Sequence, residues 1–173
     1  MLVLGIDPGY AIVGWGLVDF THGRLTPLAF GAITTQAGEP FPDRLLKISE
    51  RTAAILDKYK PQAVSVEKLY FASNTTTAID VAQARGVIIT EAARRHIDIF
   101  EYTPMQVKQA VVGYGLAEKK QVMEMTRQLL KLKEVPKPDD TADALAVAIC
   151  HAHSFHSQSY ELLNNLKNKE KSL

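Results

Sequence analysis

At 173 residues, 46% of them apolar, the chain is sized for one domain with a full hydrophobic core. A net charge of +1 excludes a uniformly basic nucleic-acid binder, so any contact with phosphate must come from charge concentrated on one face. Cys150 is the only cysteine, no apolar run reaches the roughly 18 residues of a membrane span, and MLVLGID lacks the marks of a signal peptide; the expectation is a cytoplasmic protein without disulfides or a cysteine zinc site.

Residues 2–6 form a short apolar run that reads as a buried strand, followed by the turn Asp7-Pro8-Gly9, with Gly9 free to take unusual backbone angles. Residues 12–20 and 25–34 read as two more strands joined by a hairpin turn at Thr21, His22, Gly23 and Arg24. An antiparallel meander therefore opens the chain. The period then changes. Phe41, Leu45, Ile48, Thr52, Ile55 and Tyr59 recur at helical spacing, and Pro61 ends that helix. The β-branched stretch 63–66 delivers Glu67. A helix over 74–95 follows, capped by Asn74 and Thr75, with Ile79, Ala82, Gly86, Ile89 and Ala93 on one face. Residues 97–102 read as the last strand, and 104–112, 117–131 and 139–156 as helices separated by the breaker KEVPKPD. Residues 1–157 are expected to form the domain, and 158–173 a polar, disordered tail. This order predicts an α/β fold: a mixed five-stranded sheet, a meander plus two parallel strands, with helices on both faces.

The chemistry rests on carboxylates. Asp7 and Glu67 stand where apolar strands have just ended, which in such sheets is where sites form. Asp140 and Asp143 are three apart at the start of an apolar helix and share a face. Each has a plain structural reading: Asp7 as a turn former, the helix pair as dipole partners or an N-cap. Together they match what divalent-metal phosphodiester hydrolysis needs. Two hard cations roughly 4 Å apart activate water and stabilise the leaving oxygen, and such ions take carboxylate oxygens rather than His or Cys. Asp139, four before Asp143, lies on the same face, and spacing does not choose between it and Asp140.

The motifs GIDPG at 5–9, GWG at 14–16, VEKLYFASN at 66–74, QARGV at 83–87, QVKQAVVGYG at 106–115, AEKKQV at 117–122 and DDTADALAVAI at 139–149 stand in order and at near-family spacing. Together they resemble the RuvC family of bacterial Holliday-junction resolvases, over about residues 1–156. The resemblance implies an RNase H-like fold and a homodimer on four-way junction DNA. It implies symmetric paired nicks that leave 5′-phosphate and 3′-hydroxyl ends in recombination and repair, with Mg²⁺ as cofactor, two ions per site and Mn²⁺ as a substitute. It implies RuvA and RuvB branch-migration proteins as partners. By the same resemblance the metal-binding carboxylates are Asp7, Glu67, Asp140 and Asp143, the family pattern matching Asp140 rather than Asp139. Lys108 and Lys119 correspond to catalytic, phosphate-contacting lysines, and Tyr70 to an aromatic that stacks on a base at the junction centre.

As plain sequence features Lys108, Lys119 and Lys120 are solvated lysines, and Lys120 gains nothing from the resemblance. Arg85 reads either as a residue lining the DNA or as half of a buried ion pair, the second being preferred. His151, His153 and His156, spaced two and three apart, make a poor tridentate set and read as helix-end residues. Three rival functions remain in view. An ATP-binding protein of the actin and sugar-kinase type opens in the same way but needs two such domains. A nuclease of ribosomal RNA precursors shares the fold class. An inactive junction-binding module would gain nothing from four negative charges beside phosphate.

Overall fold

The computed structural model describes residues 1–69 and 75–170, with side chains described for all of these except 75, 76 and 156–170. Strands β1 (Leu2–Asp7), β2 (Ile12–Thr21) and β3 (Arg24–Thr34) form the meander, and β4 (Ala63–Glu67) and β5 (Asp98–Tyr102) continue the sheet in the order β3-β2-β1-β4-β5. The pairs β1–β2 and β2–β3 are antiparallel, while β1–β4 and β4–β5 are parallel. The expected mixed five-stranded sheet is present. His22 and Gly23 turn the first hairpin with φ of 52° and 76°, the positive angles that a two-residue hairpin loop demands.

Helices α1 (Phe41–Tyr59) and α2 (Thr75–Arg94) pack on one face of the sheet. Helices α3 (Pro104–Val112), α4 (Lys119–Leu129) and α5 (Asp139–Glu170) belong to the other. Strand alternation sorts β1 between the two layers: Leu4 and Ile6 join the α1–α2 core, and Val3 joins the α5 core. Helix α5 is buried almost all round from Ala144 to Ala152, between the sheet and the pair α3–α4. Leu145 and Ile149 are fully buried there, each contributing about 1.5–3 kcal/mol by loss of exposed apolar surface.

Close backbone approach holds α5 on the sheet. A Cβ on Gly5 would fall 2.0 Å from the carbonyl oxygen of Ala144, and one on Gly14 would fall 1.9 Å from that of Asp140. These glycines let the helix lie directly on β1 and β2. Gly9 serves a similar purpose, since its Cβ would meet the Ile12 carbonyl oxygen at 2.0 Å; it is not among the residues with positive φ, contrary to the expectation of unusual angles.

Other details differ from the sequence reading. The core-facing stripe of α2 is Ala84, Ile88 and Ala92, and the face of Ile79, Ala82, Gly86, Ile89 and Ala93 is a second, more exposed one. Both stripes are apolar at helical spacing, so periodicity could not choose between them. Helix α5 runs to Glu170, beyond the expected end at 156, through a stretch with neither Gly nor Pro to stop it. His151 is therefore mid-helix rather than terminal, fully buried against Phe100 and Tyr102. Its Nδ1 lies 2.8 Å from the Tyr102 hydroxyl, and burial holds its pKa below the usual range. His153 donates from Nδ1 to the Ala110 carbonyl at 3.1 Å. The His156 side chain, Asn74 and the Thr75 side chain lie outside the described residues. Arg85 forms an ion pair with Glu101 of β5, but Glu101 is exposed, so the pair lies at the surface rather than buried.

Candidate active site

The parallel register of β1 and β4 pairs Ile6 with Val66, so Asp7 and Glu67 stand side by side at the carboxyl ends of neighbouring strands. Alternation turns both toward α5. Asp7 is two residues beyond Gly5, which meets α5, and Glu67 is two beyond Ser65, whose hydroxyl donates to the Val147 carbonyl at 3.3 Å. Across the sheet Asp7 pairs with Gly14, and against Gly14 lies the backbone of Asp140. One bare position on β2 thus brings the first turn of α5 to the end of β1. Asp143, one turn further, faces the same space.

The loop after Asp7 is tied down. The Tyr10 carbonyl accepts from Thr35 Oγ1 at 2.8 Å, and the buried Arg44 donates from Nε to the same Thr35 oxygen while its guanidinium covers the Tyr10 ring at 3.4 Å.

The lysines arrive from α3 and α4. Thr103 and Gln106 form a capping box that starts α3 and fixes Lys108 in its second turn. Glu118 caps α4, so Lys119 is its first residue. Lys119 Nζ lies 2.9 Å from Asp143 and 3.9 Å from Asp139. Glu67, Lys108, Lys119 and Asp143 line one cavity of about 190 Å³ beneath Pro104 and Val107. The sequence reading named all four, but nothing in it showed that they share one wall. Tyr70 lies outside the described residues. Lys120 is exposed, with no ion pair among the described residues.

The electrostatics are those of crowded negative charge. Burial, together with Glu67, Asp143 and Asp140, pushes Asp7 up to about 8. Burial and Asp143 push Glu67 up to about 6, against the opposing pull of Lys119 and Lys108. Asp143 is also raised, chiefly by burial, despite its bond to Lys119. The Lys119 ammonium is held above its usual range: its partial burial is outweighed by the hydrogen bond and charge of Asp143.

Partly buried carboxylates that repel one another call for a cation, and an all-oxygen donor set suits a hard divalent one. Among the described residues no three His, Cys, Asp or Glu side chains form a ready ligand cage. That is compatible with an ion that takes few protein ligands and completes its shell with phosphate and water. The residues present therefore fit such an ion.

The sheet order, the helices on both faces and the position of the acids define an RNase H-like fold of the resolvase type. A family model described as Crossover junction endodeoxyribonuclease RuvC matches residues 3–151. The RuvC of Brevibacillus brevis is 59% identical over 152 residues, which is 88% of this chain and 92% of its own length. The structure of Thermus thermophilus RuvC in complex with Holliday junction substrate matches with a TM-score of 0.87 at 36% identity, covering 91% of this chain and 96% of that one. The yeast mitochondrial Holliday junction resolvase Ydc2 shares the fold, at 15% identity and a TM-score of 0.66, covering 96% of this chain and 85% of that one. The chain belongs to the RuvC family of crossover junction endodeoxyribonucleases, which are metal-dependent nucleases.

Proposed function

We propose that this protein resolves Holliday junctions by paired, symmetric nicks, with Asp7, Glu67, Asp140 and Asp143 as its metal-binding carboxylates. The observation that carries this reading is the convergence of these acids: Asp7 and Glu67 end neighbouring strands, and the first turn of α5 lies against Gly14, the partner of Asp7 across the sheet. Asp140 is preferred to Asp139 because Asp140 contributes to the raised pKa of Asp7, whereas Asp139 faces Lys119. Mg²⁺, as two ions with Mn²⁺ able to substitute, would supply water activation and charge neutralisation on the leaving oxygen. The carboxylates orient that centre. Lys108 and Lys119 line the adjoining cavity and neutralise charge on the DNA phosphate next to the scissile bond. Lys119 is paired with Asp143 at 2.9 Å. Tyr70, three residues beyond Glu67, is assigned to stacking on a junction base, worth about 1–3 kcal/mol.

Two symmetric cuts require two sites, so the active form is proposed to be a homodimer. The second apolar stripe of α2 supports it. Ile79, Ala82, Gly86, Ile89 and Ala93 follow alternating steps of three and four, the pattern of a helix-pairing seam. Gly86 and Ala93 are exposed, as is Ile79 at 66%, so this seam is available to a second copy. Residues 1–157 would form the nuclease unit. No helix among the described residues is long and apolar enough to cross a membrane, in keeping with work on cytoplasmic DNA. RuvA and RuvB are proposed as partners on family membership alone.

The test is incubation with a synthetic four-way junction and a linear duplex of matching sequence, with and without Mg²⁺. The expected result is Mg²⁺-dependent paired nicking of the junction, with ends that ligase seals directly. Equal cutting of linear duplex removes the selectivity, and no cutting with any divalent ion removes the enzyme.

A further inference from the structure

A second cleft, lined by α1 and strands β2 and β3, is unrelated to the carboxylates. It has a volume of about 430 Å³. Trp15, Ile55 and Tyr59 give it an apolar floor, and Lys47, Arg51 and Lys58 give it a cationic rim. The three cations, Lys47 to Lys58, fall along one side of α1 over twelve residues, about 16 Å of helix. Trp15 lies over Gly31, where a Cβ would touch the indole ring at 3.3 Å, and it meets Tyr59 at 6.1 Å. Lys58 Nζ sits 4.8 Å over the Tyr59 ring. Glu39 engages Lys47 at 3.4 Å, but among the described residues no carboxylate is paired with Arg51 or Lys58. Among the described residues no Asp or Glu lines the cleft.

We propose that this cleft binds an acidic peptide segment of a partner protein, with one bulky apolar side chain anchored against Trp15, Ile55 and Tyr59 and flanking carboxylates on Arg51, Lys58 and Lys47. Charge complementarity sets the sign of the partner. The shape sets its class. An apolar floor inside a charged rim is the anatomy of a protein interface, in which a buried anchor does most of the binding. A duplex backbone is convex and hydrated and would leave such a floor unfilled. Arg51 offers a planar fork that can take a carboxylate with two hydrogen bonds, which a lysine cannot reproduce.

Trp15 is the only tryptophan in the chain, so its fluorescence reports directly on the cleft. The probe is a synthetic peptide of consecutive aspartates ending in one phenylalanine, titrated into the full-length protein. A saturable change in Trp15 emission is expected, weakened by salt and by replacing the phenylalanine with serine. Arg51→Glu and Lys58→Glu should each weaken binding by about tenfold or more, with melting temperature and junction cutting unchanged. No emission change up to millimolar peptide overturns the proposal. So does a single-stranded oligonucleotide that binds the cleft more tightly than the peptide and loses that binding in Arg51→Glu, since the surface would then serve nucleic acid.

Discussion

Gly14 and Asp140 touch through their backbones: a side chain on Gly14 would begin 1.9 Å from the Asp140 carbonyl oxygen. Because Gly14 also pairs with Asp7, this contact sets how far the first turn of α5 stands from the end of β1. Gly14→Ala should push that turn outward. The expected result is a loss of junction cutting of about a hundredfold, the scale on which small misplacements act, with a stability cost of about 1–3 kcal/mol. Comparing cutting rate with the thermal midpoint checks it. Cutting at the wild-type rate would show that the contact does not position the acids.

Asp140→Asn should abolish cutting while junction binding persists. Asp139→Asn should cut at close to the wild-type rate, because Asp139 only assists Lys119. Parallel cleavage and gel-shift assays decide between them. An inactive Asp139→Asn beside an active Asp140→Asn would reverse the assignment.

Lys119→Ala should reduce cutting by about 10²–10³, the range for removing one preorganised charge partner of a transition state. Binding should change little, since one phosphate contact among many is lost. Single-turnover rates at saturating enzyme separate the two effects. An unchanged rate would remove Lys119 from the chemistry.

Asp7 and Glu67 make the metal-free protein pH-sensitive in a defined direction. Their folded pKa values, about 8 and about 6, lie above the ordinary 3.8 and 4.5. The fold therefore favours their protonated forms. That stability is fully present below about pH 4 and is lost as pH rises through about 6 and then about 8. The thermal midpoint in EDTA should fall between pH 5 and pH 8 on this account, and Asp7→Asn should be more stable than wild type near pH 8. Mg²⁺ should restore the wild-type midpoint there and leave the variant's almost unchanged. A flat profile in EDTA would show that the acids do not repel as described.

If the proposed dimer forms through the exposed seam of α2, Ala93→Glu should leave the protein monomeric and weaken junction binding, with the monomer fold intact. Sedimentation velocity and circular dichroism read the two effects. A dimer of undiminished affinity would place the interface elsewhere.

Much of this was legible from local pattern. The strands and most helix positions follow from periodicity, and Asp7 and Glu67 are visible as acids that end apolar runs. For Arg85 the sequence leaves a DNA-lining role and a buried ion pair open; the structure pairs it with the exposed Glu101, a partner no local pattern points to. Two apolar faces alternate on α2, and only its neighbours decide which one meets the core. The setting of His151 was missed because the cage around it comes from β5, some fifty positions earlier.

The sequence by itself determined which residues end strands, where helices begin, and which acids could share a helix face, since these depend on contacts a few residues apart. Only the tertiary structure decided that these acids meet. The parallel register of β1 and β4 sets Asp7 beside Glu67, and a backbone without a side chain at Gly14 admits α5 to both. Such proximity joins residues from 60 to 136 positions apart, and no local periodicity encodes it. The same holds for Lys108 and Lys119, which become neighbours of Glu67 and Asp143 only because two separate helices close over one small cavity.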